Sequence, residues 1–141
     1  VAKAPAEESK KEEEKKESNT SEVDAKVLKK VKKSYTMYYA PNSFYDNSTN
    51  KMGRYFRYLK KYFRQNPDGQ IEIKGYSDKE GSSSEIKAEG LKNAEKMKEY
   101  LMDEYRIKSK NIVTKGSSRQ SPQFTDVEKA KNRKLTFKYI K

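Results

Sequence analysis

The chain has 141 residues, enough for one folded domain with or without a tail. Hydrophobic residues make up 32% of it and charged residues 38%, and no window approaches the roughly 20 apolar residues that a membrane-spanning helix needs. Cysteine, histidine and tryptophan are all absent, which excludes disulfides, a thiolate nucleophile, an imidazole base and a Cys/His zinc site. We therefore expect no catalytic activity, no bound metal and no cofactor.

Charge is distributed unevenly along the chain. Residues 1–25 contain five lysines and eight acidic residues but no Ile, Leu, Met, Phe or Tyr, so they cannot fill a core. The other 116 residues carry 28 basic and 13 acidic residues, a net charge of +15, and all the aromatic side chains. These patterns predict a flexible charged linker at residues 1–28 and a folded domain at residues 29–141. No signal-peptide pattern opens the chain, and we expect any membrane anchor to lie before Val1.

The first half of the domain changes from a strand pattern to a helix pattern. Residues 34–39 are rich in aromatic side chains and predict a strand. From about Ser48, apolar residues recur every three or four positions and predict one buried helix face: Met52, Tyr55, Phe56, Leu59, Tyr62 and Phe63. The sequence Asn-Pro-Asp-Gly at residues 66–69 ends that helix with a turn, because proline cannot continue a helix and glycine accepts positive φ.

The second half repeats this change of pattern. Residues 70–76 alternate with a period of two and predict a second strand, and Ser82 with Glu85 three residues later is a helix-capping signal. The helix after this cap has a predicted buried face of Ala88, Leu91, Ala94, Met97, Leu101 and Tyr105. Two further strands are predicted at residues 111–116 and 134–140, with a short helix at residues 127–132. The predicted fold is α+β, in the order β-α-β-α-β-(α)-β, with two main helices packed on one mixed four-stranded sheet.

Three motifs, in this order along the chain, resemble those of OmpA-like peptidoglycan-binding domains. Residues 75–81 (Gly-Tyr-Ser-Asp-Lys-Glu-Gly) resemble the family's Gly-Tyr-(Ser/Thr)-Asp-x-x-Gly signature, which also lies between a strand and a long helix. Residues 116–122 (Gly-Ser-Ser-Arg-Gln-Ser-Pro) keep the first glycine and the proline of its Gly-x-Gly-Glu-x-x-Pro loop. Residues 132–137 (Asn-Arg-Lys-Leu-Thr-Phe) are similar to its Asn-Arg-Arg-Val-Glu-Ile entry into the last strand. The resemblance covers residues 33–141.

The resemblance implies a non-enzymatic module of the periplasm, associated with the outer membrane and the cell wall. Such a module is attached elsewhere in its protein to an outer-membrane barrel, a lipoprotein or a motor-stator protein, and it binds the diamino acid of a peptidoglycan stem peptide non-covalently. By the same resemblance, the ligand-binding residues of this chain are Tyr76, Ser77, Asp78, Asn93 and Arg133.

Asp78 stands at the end of a predicted strand and just before a helix. Its carboxylate can pair there with a ligand ammonium, while the N–H groups at the helix N-terminus attract a carboxylate. In the family, an arginine of the motif Asn-x-x-Leu-Ser-x-x-Arg-Ala in that helix holds a second ligand carboxylate with its planar guanidinium. Counting without gaps from Asp78 puts this position on Asn93, and a shifted register puts it on Glu95. Neither register gives an arginine.

The missing arginine leaves two interpretations open. In the first, the pocket has decayed, and the domain is a scaffold that binds protein or nothing. In the second, the ligand is a stem peptide built on ornithine or lysine, which lacks the second side-chain carboxylate of diaminopimelate. We expect wall binding to be retained, because the Gly-Tyr-Ser-Asp turn is kept and the missing residue is the one that such a ligand makes unnecessary.

Simpler explanations also exist for these features. Asp78 can cap the turn, and Arg133 can be solvated at the entrance to a strand. A net charge of +15 with interleaved aromatic residues also fits nucleic-acid binding, although the lysines are spread over both helices and every loop, with no RRM, KH or helix-turn-helix signature. Strand or helix spacing predicts positions in the core or at its rim for six tyrosines: Tyr35, Tyr38, Tyr39, Tyr55, Tyr58 and Tyr62.

Overall fold

The computed structural model describes residues 25–41 and 47–141. The elements in these two ranges are α1 (25–32), β1 (Tyr35–Tyr38), α2 (Asn47–Lys51), α3 (Gly53–Gln65), β2 (Ile71–Gly75), α4 (Ser83–Tyr105), β3 (Ile112–Gly116), α5 (Asp126–Ala130) and β4 (Lys134–Tyr139). None of the helices in these ranges is both long and apolar enough to cross a membrane. Most of the predicted linker, up to residue 24, lies outside the described residues.

The four strands form one mixed sheet in the order β1-β4-β2-β3. Strand β4 is antiparallel to both of its neighbours, whereas β2 and β3 are parallel to each other. The register places Tyr38 opposite Lys134, and it places Gly75 between Leu135 and Gly116. The α+β class and the mixed four-stranded sheet that the sequence predicts are confirmed.

The core lies between the sheet and the helices. Alternate residues of β2 and β4 are buried, as expected for strands with one covered face, and α3 contributes Phe56 and Leu59, which are fully buried. The ring of Phe56 lies 5.8 Å from that of Phe137 on β4. Burial of each such side chain contributes roughly 1.5–3 kcal/mol, so these contacts hold α3 on the sheet. Most of the six tyrosines lie in this core or against it, namely Tyr35, Tyr39, Tyr55, Tyr58 and Tyr62.

Helix α1 is absent from the predicted order of elements, and the predicted domain boundary at residue 28 falls inside it. Val27 and Val31, about one turn apart, are both buried in the core. The packed part of the chain therefore begins at or before Val27. Five of the ten residues from Lys26 to Tyr35 are lysines, and their charge masks the short apolar face when a boundary is placed by composition.

The single helix predicted from about Ser48 is two helices, α2 and α3. The chain turns at Met52, whose backbone has φ −91° and ψ 0°. Met52 and Tyr55 are nevertheless both buried, so the spacing of apolar residues continues across the turn. For this reason, periodicity alone does not reveal the break.

The first half of α4 faces the sheet through residues other than those predicted. Ala88 and Leu91 are exposed, whereas Ile86, Gly90 and Asn93 are buried. The second half follows the prediction, because its apolar residues pack in the core. The buried face of the N-terminal half of α4 is therefore rotated about the helix axis relative to the predicted face. As a result, different side chains reach the end of the sheet.

The cause of this rotation is a close approach between α4 and the ends of β2 and β3. A Cβ atom added to Gly75 would lie 1.9 Å from the carbonyl oxygen of Gly90, and one added to Gly116 would lie 2.0 Å from that of Lys87. Only glycine allows the backbones to come this close. The contact turns the Gly90 side of α4 toward the sheet and sets Asn93 over the end of β2.

The predicted cap of α4 is confirmed. Ser82 Oγ accepts a hydrogen bond from the N–H of Glu85 at 3.2 Å, and the N–H of Ser82 donates to Glu85 Oε1 at 2.9 Å. A second capping box, formed by Thr125 and Glu128, begins α5 in the same way. The two loops that leave β2 and β3 therefore enter their next helices at defined residues.

Candidate functional site

The candidate site lies at the end of the sheet where β2 and β3 stop and β4 begins. The chain passes from β2 to α4 through residues 76–82, which include every residue of the first motif except Gly75. Ser77 is buried in this turn, and its Oγ accepts a hydrogen bond from the N–H of Lys79 at 2.9 Å. The N–H of Tyr76 donates to the carbonyl of Lys134 at 3.1 Å. The side chain of Ser77 therefore fixes the turn internally, and the backbone of Tyr76 joins the turn to β4.

Asp78 and Arg133 meet at this end of the sheet. Arg133 Nη1 lies 3.0 Å from Asp78 Oδ2, with the arginine side chain 14% exposed and the aspartate side chain 39% exposed. Asp78 Oδ1 accepts no hydrogen bond from residues 25–41 or 47–141, and Arg133 Nε is buried without a partner among them. Arg133 is therefore more than a solvated residue at the entrance to β4. It orients the Asp78 carboxylate and leaves one carboxylate oxygen available.

Asn93 lies on α4 at the position that the gap-free count assigns to the family's arginine. Its side chain is buried, and Nδ2 donates to the Tyr39 hydroxyl at 2.8 Å and to the Tyr76 carbonyl at 3.1 Å. The Tyr39 hydroxyl donates in turn to the same carbonyl at 3.3 Å. Both amide hydrogens of Asn93 are thus used inside the protein, where they join α4, the end of β2 and the residue after β1.

Tyr39 belongs to the site, although the motifs do not identify it. Burial raises the pKa of its hydroxyl well above the usual range, and the charges of Asp78 and Glu89 raise it further, against a smaller lowering effect of Arg133 and Asn93. The N–H of Tyr39 donates to the carbonyl of Arg133 at 3.1 Å. The signal that could have found it is the sheet register, because a strand antiparallel to β4 places this residue beside Arg133.

The loop between β3 and α5 covers one side of the turn. Gln120 Nε2 donates to the carbonyls of Ser77, at 3.2 Å, and Lys79. Gln123 Nε2 donates to the carbonyl of Asp78 at 2.8 Å. Neither glutamine was identified from the sequence, although Gln120 lies within the second motif. Together they hold the backbone of the turn from which the Asp78 side chain projects.

Asn132, the first residue of the third motif, anchors this loop. It is buried, and its Nδ2 donates to the Ser121 carbonyl at 3.0 Å and to Gln123 Oε1 at 2.8 Å. Its Oδ1 accepts a hydrogen bond from the N–H of Ser121 at 2.9 Å. The third motif therefore has two roles, because Asn132 holds the loop while the next residue, Arg133, holds Asp78.

Tyr76 lies among cationic side chains. Lys134 Nζ lies 4.5 Å from the centre of the Tyr76 ring, within the range of a cation–π interaction. Lys74, Lys87 and Arg119 line the shallow grooves beside the same tyrosine. The Tyr76 side of the site is therefore aromatic and positively charged.

The N-terminus of α4 is less open to a ligand than the sequence suggests. Its capping box occupies the N–H of Ser82 with the Glu85 carboxylate and the N–H of Glu85 with the Ser82 hydroxyl. The hydrogen bonds from Ser82 hold the pKa of the Glu85 carboxyl below its usual value. No group of three or more acidic side chains that could hold a metal ion occurs in the described part of the chain. The site therefore offers one partly exposed carboxylate and an aromatic, basic rim, which suits non-covalent binding of a charged ligand.

Comparison with known proteins agrees with this fold and these motifs. The sequence profile of the OmpA family matches residues 38–135, more than half of the chain, whereas no curated protein sequence matches it. The structure is similar to that of the peptidoglycan-associated lipoprotein from Burkholderia pseudomallei, with 20% identity, 74% of this chain and 89% of that chain covered, and a TM-score of 0.56. It is also similar to an outer-membrane protein from Borrelia burgdorferi B31, with 24% identity, coverage of 77% and 87%, and a TM-score of 0.50. These likenesses show a shared fold, and the chain belongs to the OmpA family.

Proposed function

We propose that this domain binds peptidoglycan non-covalently, with the Asp78 carboxylate holding the side-chain ammonium of a stem-peptide diamino acid. The observation that carries the proposal is the way in which the Asp78 carboxylate is positioned and hydrogen-bonded. This carboxylate projects from the signature turn, is oriented by Arg133 through one oxygen, and keeps the other oxygen without a partner among the described residues. A carboxylate held in this way can accept a charge-assisted hydrogen bond from an ammonium with little reorganisation.

The proposed ligand is a stem peptide of the ornithine or lysine type. Asn93 is neutral and buried, and its amide hydrogens are engaged by Tyr39 and Tyr76. A ligand without a second side-chain carboxylate needs no cation at this position. Diaminopimelate would bring that carboxylate close to a neutral amide with no hydrogen to donate, which is unfavourable.

In this proposal the domain ties the rest of its protein, an outer-membrane or lipoprotein region, to the cell wall in the periplasm. Membership of the OmpA family and a fold shared with a peptidoglycan-associated lipoprotein support this placement. The positive charge of the domain supports it as well, because stem peptides also carry backbone carboxylates.

A second candidate is a scaffold domain that binds another protein. The observation that favours it is that the main polar groups of the site already have partners within the domain: one oxygen of Asp78 pairs with Arg133, and Asn93 is hydrogen-bonded. In that case the polar groups at this end of the sheet stabilise the fold, and no stem peptide binds.

Titration calorimetry with soluble stem peptides that contain ornithine, lysine or diaminopimelate distinguishes the two candidates. Wall binding predicts that the native domain prefers the first two and that Asp78→Ala weakens all three, since each keeps an ammonium. Asn93→Arg is expected to reverse the preference by about 10- to 150-fold, through a new charge-assisted pair. The matched control is Asp68→Ala, which removes an exposed aspartate at the other end of β2.

Thermal melting checks that each variant is folded. Absence of binding by every folded variant and every peptide would favour the scaffold. Binding that Asp78→Ala leaves intact would place the peptide site elsewhere.

A further inference from the structure

A second cleft lies at the opposite end of the sheet, between the C-terminal ends of α3 and α4. It has a volume of about 340 Å³, and none of the residues that line it is acidic. Phe63 and Ile107, both largely buried, give it an apolar wall. Half of the eight lining residues are cationic: Lys60, Arg64, Arg106 and Lys108. We call it the basic cleft.

The cations of the basic cleft are not neutralised by the described part of the protein. None of the four lies within 4.0 Å of a carboxylate oxygen there. Asp68, in the turn beside the cleft, pairs instead with Lys110 at 3.5 Å, and Asp103 and Glu104 at the end of α4 are exposed and do not line it. Helix α3 adds to the positive field, because its 13 residues include five cations and no acid.

Arg106 occupies a backbone position that an arginine seldom takes. It ends α4 with φ 58° and ψ 30°, the only positive φ outside glycine among the described residues. Glycine or asparagine is the usual residue at such a helix end, because a larger side chain is strained there. A cation at a helix C-terminus also favours the helix dipole, so the two roles must be separated by experiment.

The two loops that form the cleft are joined rigidly. Asn111 Nδ2 donates to the carbonyls of Pro67 and Gly69, in both cases at 2.8 Å. The turn after α3 and the segment after α4 are therefore held at a fixed separation, which fixes the distance between the backbones that carry the cations.

We propose that the basic cleft binds a phosphate group, either as free phosphate or as the phosphate of a lipid headgroup. Arginine and lysine are the side chains that bind phosphate oxygens most strongly, and two arginines contribute here. The volume leaves room for an organic substituent against Phe63 and Ile107. A nucleic-acid duplex needs an exposed row of cations and cannot enter a cleft of this size. Because the cleft and Asp78 lie at opposite ends of β2, both sites can be occupied at once.

Two-dimensional ¹H–¹⁵N NMR of the whole chain, titrated with sodium phosphate at constant ionic strength, tests the proposal. Saturable shifts are expected at the amides of Arg106 and Lys108 and at the C-terminal end of α3. Arg106→Gly and Arg64→Gln are each expected to weaken binding by about fivefold or more. Arg54→Gln removes the same charge about 15 Å away along α3 and is expected to change the affinity less than about twofold. Arg106→Gly is also expected to melt at the native temperature or slightly above it.

Co-sedimentation with lipid vesicles identifies the source of the phosphate. Retention on anionic phosphatidylglycerol vesicles but not on zwitterionic phosphatidylcholine, lost in Arg106→Gly and Arg64→Gln, would assign a lipid headgroup. Binding of inorganic phosphate without retention on vesicles would assign free phosphate. The proposal is overturned if neither probe binds, if Arg54→Gln weakens binding as much as Arg106→Gly, or if duplex DNA binds more tightly than both probes.

Discussion

The two ends of β2 carry their charges in different ways. At one end Asp78 and Arg133 neutralise each other and Asn93 is buried in a hydrogen-bond network. At the other end, no carboxylate oxygen of residues 25–41 or 47–141 lies within 4.0 Å of the four cations of the basic cleft. A ligand at the Asp78 end must fit around groups that are already paired. A ligand at the basic cleft relieves repulsion between like charges. The first arrangement favours selection among similar ligands, and the second favours attraction of any compact anion.

The largest effect on stability is expected from a substitution that disrupts the helix–sheet packing at the Asp78 end of β2. In Gly75→Val the new Cβ would lie 1.9 Å from the Gly90 carbonyl oxygen, so α4 must move away from the sheet. We expect the free energy of unfolding to fall by about 3 kcal/mol or more in urea titrations. The control is Gly53→Ala, whose Cβ meets the flexible end of Arg57 at 3.3 Å and should cost less than about 1 kcal/mol. Equal losses in the two variants would contradict the close approach.

A smaller effect is expected from removing one charge at each end. Asp78→Ala leaves the guanidinium of Arg133 mostly buried without its partner, and we expect a loss of about 1–2 kcal/mol. Lys60→Gln at the basic cleft should change stability by no more than about 0.5 kcal/mol, because it removes a cation that forms no ion pair with the described part of the chain. Urea titrations of both variants and of Asp78→Ala/Arg133→Met check this. The double variant should recover part of the loss, and strictly additive losses would show that the pair does not act as a unit.

Alkaline pH is expected to weaken the Asp78 end through Tyr39. The pKa of this tyrosine is raised in the folded state above its ordinary value of 10.0, so its stabilising contribution is complete below pH 10 and is lost as the pH rises toward the folded pKa. At pH 10.5 the loss is up to about 0.8 kcal/mol for one such group. Tyr39→Phe should remove this part of the pH dependence in urea titrations at pH 8 and pH 10.5. An equal change of stability between the two pH values in the native protein and in Tyr39→Phe would contradict the assignment.

The smallest effect is expected at the strained end of α4. Arg106→Gly removes a side chain from a left-handed backbone position and should raise the free energy of unfolding by up to about 0.5 kcal/mol, or leave it unchanged. At the Asp78 end, in contrast, each side-chain removal is expected to destabilise the fold. A loss above about 1 kcal/mol in Arg106→Gly would mean that this arginine stabilises the fold.

The elements that the sequence predicts correctly depend on neighbouring residues. Ser82 and Glu85 contact each other three residues apart, and α3 ends at Gln65, two residues before Pro67, which cannot continue a helix. The predicted buried face of α4 was wrong in its N-terminal half. The observed face depends on the contact between Gly75 and Gly90, and a count of apolar side chains gives glycine no weight. Helix α1 was missed for a related reason: its few apolar residues are interspersed with lysines, which hide the apolar face.

The same division applies to the candidate site. The motifs identify Asp78 and Arg133 as separate residues, but their pairing depends on β4 lying beside β2, which no local pattern shows. The burial of Asn93 follows from the rotation of α4, and Tyr39 has the same strand spacing as tyrosines of the core. The cations of the basic cleft come from α3 and from the segment after α4, and in the sequence they do not stand out among 33 basic residues.

The place of β4 in the sheet sets the order in which the fold can form. It is the last of the described strands along the chain, yet it lies between β1 and β2 and pairs with both. Until residue 139 has been synthesised, β1 has no neighbour in the sheet and one edge of β2 is open, so the first strands cannot complete the fold on their own. A chain cut before β4 is expected to expose both edges to other chains. The completed chain is therefore expected to collapse late and in one step, once β4 is available to pair with both β1 and β2.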